Sequence, residues 1–154
     1  LIKDGRIEAV APDLPVPSAV PQISAEGCVV CPGLIDMHVH LREPGHEYKE
    51  TVATGCAAAV KGGITSVMCM ANTEPVNDCA SVTAYILEKA ALAGLARVYP
   101  IGAVTRGMEG ESLSEMAELA QSGCVAVSDD GNPVKSSASM LFCFFFCSNS
   151  PLNS

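Results

Sequence analysis

From residue 34 onward the chain alternates short apolar runs with longer mixed ones, and this rhythm predicts most of the fold. Residues 34–41, 65–71, 97–104 and 124–128 read as strands. Residues 50–61, 80–93 and 112–121 read as helices between them. Their ends carry the expected punctuation. Gly62-Gly63 suits a C-terminal cap with positive φ, Gly94 closes the second helix, and Gly123 stops the third. Ser112-Leu113-Ser114-Glu115 has the form of a capping box. Four strands separated by three helices predict βαβ units, a parallel sheet and right-handed crossovers.

The two ends of the chain follow different patterns. Leu1-Ile2, Asp4-Gly5 and the run 7–10 form a hairpin signature. The Pro-rich stretch 12–21 excludes a helix interior or a central strand. Cys28-Val29-Val30 reads as another short strand, stopped by Pro32-Gly33. Residues 1–31 are thus expected to form part of a small β domain, and 32–140 a βα domain. The segment 141–154 breaks the style, with all four phenylalanines in five consecutive positions. It reads either as a fifth apolar strand or as a truncated, misread or frame-shifted end, and as an aggregation hazard if exposed.

Composition narrows the function classes. With 49% hydrophobic and 17% charged residues, the chain has enough apolar material for a core. A formal charge of −8 and the lack of a Lys/Arg-rich stripe argue against nucleic acid or an anionic membrane surface. No run reaches the roughly 18 apolar residues of a membrane span. The chain opens with neither an initiator Met nor a secretory signal, so residues are expected to precede Leu1. Its eight cysteines read as reduced, buried thiols of a cytoplasmic protein. Cys28-x-x-Cys31 without a well-spaced second pair is a weak metal signal.

Chemistry concentrates at the ends of the predicted strands. In the run Asp36-Met37-His38-Val39-His40-Leu41-Arg42, strand alternation puts Leu34, Asp36, His38 and His40 on one face, joined by Arg42 if the strand runs on. Ile35, Met37, Val39 and Leu41 fall on the other, apolar face, suited to packing under helices. Two imidazoles two residues apart on a polar face can share one metal ion, and His is the commonest metal ligand. His46, in a Gly-containing charged loop, reads as solvated surface. At the end of the fourth strand, in Val127-Ser128-Asp129-Asp130-Gly131, regular alternation turns Asp130 inward with the histidines and Asp129 away. The same residues suit an ordinary turn; beside His38 and His40 a metal carboxylate is the better reading. Asn72, after the second strand, could bond a ligand amide or carboxylate or simply form a turn.

Pro32-Gly33-Leu34-Ile35-Asp36-Met37-His38-Val39-His40-Leu41-Arg42-Glu43-Pro44-Gly45 resembles the signature opening of dihydroorotases in the amidohydrolase superfamily. Glu47-Tyr48-Lys49-Glu50-Thr51, Gly62-Gly63-Ile64-Thr65, Asn72-Thr73 with Pro75, and Ser128-Asp129-Asp130-Gly131 are similar to the same family, so the likeness covers roughly residues 1–140. The resemblance implies an α/β fold: the first four strands of a distorted (β/α)8 TIM-type barrel, preceded by part of a small β domain. It implies two Zn2+ ions per complete site, with His38 and His40 on the first and Asp130 bridging both. It also implies His40, Arg42 and Asn72 around a substrate carboxylate. The implied reaction is the reversible ring opening of dihydroorotate to N-carbamoyl-L-aspartate in pyrimidine biosynthesis. Zinc would activate water and polarise the ring carbonyl. No catalytic general base is expected within these residues, because the family takes it, and further histidine ligands, from later strands.

Two departures stand out. Ala71 occupies a position where the family usually has Pro, and all three histidines precede residue 47. Four strands cannot close an eight-stranded barrel, so the chain alone is expected to be inactive and to bind zinc weakly at best. Rival readings are an allantoinase or dihydropyrimidinase, against which Arg42 argues because their cyclic amides are neutral; a non-catalytic scaffold associated with aspartate carbamoyltransferase; and a nonfunctional gene fragment. A homo-oligomer is compatible with the same sequence.

Overall fold

The computed structural model describes residues 1–15 and 17–149; Val16 in the Pro-rich stretch and residues 150–154 of the tail lie outside them. The chain divides into two compact units, Leu1–Pro32 and Gly33–Ser154. In the first, β1 (Ile2–Lys3) and β2 (Arg6–Ile7) pair antiparallel with Ile2 opposite Ile7. The turn uses φ +50° at Asp4 and +74° at Gly5, the two positive values that a two-residue hairpin loop favours. The strand expected over 28–30 does not form. A strand needs a ladder partner, and Val29 and Val30 stand 90% and 83% exposed.

The second unit is a parallel four-stranded sheet in the order β3 (Leu34–Val39), β4 (Ile64–Cys69), β5 (Arg97–Gly102), β6 (Ala126–Val127). The connections carry α1 (Val52–Lys61), α2 (Ala80–Ala93) and α3 (Met116–Gln121), as the alternation predicts. Thr51 caps α1: its hydroxyl accepts from the Thr54 amide, and the Thr54 hydroxyl accepts from the Thr51 amide. The helix ends at Gly62, with the positive φ falling on Gly63 (+83°). Gly94 ends α2 in the left-handed region at φ +61°. Leu41, Val52, Cys56, Val67, Val82 and Ile86 form the main core between α1, α2 and the sheet.

Three expectations change here. The third helix begins at Met116 rather than 112, because the proposed capping box is spent on an extended bridge. The Ser114 hydroxyl and amide bond to the Ala103 and Val104 carbonyls, and Thr105 pairs with Leu113. The apolar tail forms a helix, α4 (Ser137–Asn149), rather than a strand. Short apolar runs do not distinguish the two by pattern alone. Here the Ser136 hydroxyl accepts from the Ser139 amide and opens the helix, while Cys143 and Phe146 pack against Val104, Met116 and Val127. Phe142, Phe144 and Phe145 remain 57%, 62% and 63% exposed. The thiols also divide: Cys56, Cys69, Cys124 and Cys143 are buried, but Cys28 and Cys31 are exposed. Burial pushes the Cys69 thiol up to about 12. Among the described residues no helix is long and apolar enough to cross a membrane.

Asn77, which sequence pattern did not single out, joins the loop after β4 to the end of β5. It is fully buried. Its amide nitrogen donates to the Ile101 carbonyl (2.9 Å), its side-chain oxygen accepts from Thr83 (2.7 Å), and its carbonyl accepts from the Ala103 amide (2.8 Å). Asn77→Ala leaves the Ile101 carbonyl and the Thr83 hydroxyl without these partners, so it is expected to lower stability by roughly 2–4 kcal/mol in urea unfolding; a loss below about 0.5 kcal/mol would show that the cross-link is dispensable. The exposed phenylalanines of α4 generate a second expectation. Replacing Phe142, Phe144 and Phe145 with Gln should reduce higher-order species in sedimentation velocity and leave the thermal midpoint within a few degrees.

Candidate metal centre

The site lies where the strands end. In the β3–β4 register, Asp36 pairs with Val67 and Val39 with Cys69, so three steps on β3 oppose two on β4. This irregularity breaks the alternation expected through 34–42. Val39 and Leu41 pack into the core as expected, but Ile35 and Met37 are 65% and 69% exposed, and Asp36 lines a cavity beneath α1 together with Val39 and Leu41. The two histidines still converge, with ring centroids 5.3 Å apart in an edge-to-face arrangement.

Asp130 reaches them from the other edge of the sheet. Its Oδ2 lies 3.4 Å from His38 Nε2 and 3.6 Å from His40 Nε2. One ligand atom from each of the three residues falls within 4.8 Å of the others. Two ligands held at about 2.1 Å around a tetrahedral ion stand about 3.4 Å apart, so the spacing fits a metal such as zinc, as do the two imidazoles and one carboxylate. His40 is also held from behind: its Nδ1 lies 2.9 Å from Asn72 Oδ1. That amide oxygen can only accept, so Nδ1–H donates to it and Nε2 is the ring nitrogen turned toward Asp130. The side chains of His40 and Asp130 are 28% and 27% exposed, whereas His38 is 55% exposed.

Asn72 therefore joins the set through His40, whereas among the described residues no side-chain hydrogen bond or ion pair ties Arg42 to it. The strand ends at Val39, and Arg42 sits in the following loop at φ +60°. Among the described residues Arg42 enters no ion pair. The loop is fixed by Glu43, which sequence reasoning passed over. Its buried carboxylate accepts from the Val52 amide at the start of α1 (2.8 Å) and from the Tyr85 hydroxyl (3.2 Å), with Lys89 at 3.5 Å. No local signal marks it, since α1 begins nine residues later and Tyr85 lies 42 residues away. Gly45, at φ +95°, lets this loop press on the one after β4, since a Cβ there would meet the Glu74 carbonyl oxygen at 2.1 Å. His46 is half-buried beside Tyr48 rather than fully solvated. Asp129, which strand alternation turns away from the histidines, is 6% exposed and bonded to the loop after β5.

Known proteins resemble the chain in sequence and in fold. A family model described as Dihydro-orotase-like matches residues 27–145. A dihydroorotase of Anaeromyxobacter sp. (strain K) is 59% identical over 140 residues, covering 91% of this chain and 32% of the relative. One from Geobacter metallireducens is 54% identical over 140 residues, covering 91% and 33%. The chain thus spans about a third of the length of these curated relatives. Among solved structures, the L-hydantoinase (dihydropyrimidinase) from Arthrobacter aurescens matches with a TM-score of 0.75 and 21% identity, over 93% of this chain and 33% of that one. That likeness shows the fold, a partial (β/α)8 barrel. With the family model covering most of its length, the chain belongs to the dihydro-orotase-like family.

Proposed function

We propose that the chain supplies the first half of the active site of a cytoplasmic, zinc-dependent dihydroorotase, which interconverts dihydroorotate and N-carbamoyl-L-aspartate. The observation that carries this reading is the convergence of His38, His40 and Asp130 at the ends of the two edge strands. In this reading His38, His40 and Asp130 are the residues that would hold the zinc. When bound, the metal supplies Lewis acidity to the amide carbonyl and acidifies water. The chain's own residues orient and bind. Asn72 fixes the His40 tautomer and keeps its amide nitrogen for a substrate oxygen. Arg42 offers a planar fork to the carboxylate that distinguishes dihydroorotate from neutral cyclic amides. Residues 1–31 serve as part of a small β domain, and residues 32–140 as the opening half of the barrel.

Two measurements test this. Zinc titrated into the chain, followed by calorimetry, should show binding that His40→Ala abolishes. Asn72→Ala should weaken it about 10–100-fold by freeing the imidazole to rotate; unchanged affinity in both variants would remove the metal reading. For the substrate, a chimera joining residues 1–140 to the remainder of the Anaeromyxobacter sp. (strain K) relative should turn over dihydroorotate in preference to allantoin and dihydrouracil. Arg42→Gln in that chimera should raise the KM for dihydroorotate roughly 10–100-fold, the loss of a hydrogen-bonded charge contact. Faster turnover of allantoin than of dihydroorotate would overturn the assignment.

A further inference from the structure

We propose that Asp129 is a positioning residue that fixes where Asp130 stands; this rests on the metal reading above. β6 is only two residues long, Ala126–Val127, and its last backbone tie to β5 is the Ser128 amide donating to the Gly102 carbonyl (2.8 Å). Beyond that point Asp129 continues the connection with its side chain. One carboxylate oxygen accepts from the Val104 amide (2.8 Å) and the Thr105 amide (3.1 Å), and the other accepts from the Thr105 hydroxyl. The Thr105 hydroxyl in turn accepts from the Gly110 amide (2.9 Å). Thr105 is fully buried and Asp129 6% exposed, so these bonds are shielded from water.

Asp130 is the next residue, and the chain turns on it. The Asn132 amide donates to the Asp129 carbonyl (2.7 Å), and Gly131 takes φ +85°, the value a type II turn requires at its third position. The turn is thus hinged on an anchored first residue. β3 and β6 are opposite edges of the sheet, with β4 and β5 between them. The gap from the histidines to Asp130 therefore depends on how far the end of β6 is drawn toward β5, which the Asp129 clamp sets. A carboxylate suits the task because three donors converge on it; an amide that kept its oxygen on the backbone donors would turn to the Thr105 hydroxyl a nitrogen that cannot accept its proton.

The test is a double-mutant cycle on zinc affinity in this chain. Asp129→Asn should weaken zinc binding about 10–100-fold, and Thr105→Val, a milder change that keeps the backbone donors, should weaken it less. In an Asp130→Ala background both effects should vanish, since a positioning residue acts only through the group it positions. Losses that persist in that background would mean that Asp129 merely stabilises the fold, and would overturn the proposal. Crystal structures of the parent and Asp129→Asn read the same question without metal. The Asp130 carboxylate should move away from His40 in the variant, and an unmoved Asp130 would sink the idea. A parent chain that binds no zinc but shows this movement would remove the metal reading and leave the positioning role standing.

Discussion

The geometry of the candidate site depends on one constraint: parallel pairing delivers the C-terminal ends of all four strands to the same side of the sheet. His38 and His40 leave one edge strand and Asp130 follows the other, so their approach to within 3.4–3.6 Å requires the sheet to curve. Neighbouring strands lie about 4.8 Å apart, and a flat sheet would hold these edges about 14 Å from each other. Curvature of this kind is how a partial barrel brings distant sequence positions together. It also explains why ligands separated by ninety residues of chain can share an ion while Asp36, in the same strand as His38, does not.

The curved mouth is held by polar side chains in places where the backbone ladder has stopped. Glu43 ties the loop after β3 to α1 and α2, and Asn77 ties the loop after β4 to β5. Asp129 does the same between β6 and the loop after β5. Each is buried, and among the described residues no buried side-chain nitrogen or oxygen lacks a hydrogen-bond partner. A buried polar atom without a partner costs on the order of 1–3 kcal/mol. These networks therefore resist small displacements more sharply than apolar packing does. The apolar core beneath, from Leu41 to Val98, supplies cohesion without direction.

How much of this was legible in the sequence follows from the range of each interaction. Local signals read well. Asp4-Gly5 specified its hairpin turn, and Gly94 the end of α2, because a positive φ is a property of one or two residues. The βαβ order was equally legible, since it is a matter of period. Signals that depend on a partner failed. Cys28-Val29-Val30 had strand composition but found no ladder, and Ser112-Leu113-Ser114-Glu115 had cap composition but paired with the segment 103–106. The apolar run after Met140 was ambiguous by pattern and became helical. The inward turn of His38, His40 and Asp130 was anticipated from alternation, yet the register shift in β3 means that alternation alone does not account for it. Glu43, Asn77 and Asp129 were missed because their side-chain partners lie 6 to 47 residues away, most of them on other elements.

Taken together, the four strands divide the work of one site. β3 brings the imidazoles, and the loop after β4 supplies Asn72 behind His40. The loop after β5 supplies the amides of Val104 and Thr105, and the turn after β6 presents Asp130. Between paired strands most amides and carbonyls are committed to the ladder, so few are left for a side chain to recruit. At a strand end the commitment lapses, and a neighbouring carboxylate or amide can take its place. That is why the orienting partners gather at the ends of the strands and not along them. It is also why a loop residue such as Asn72, one turn from the sheet, can decide which nitrogen of a histidine faces the centre.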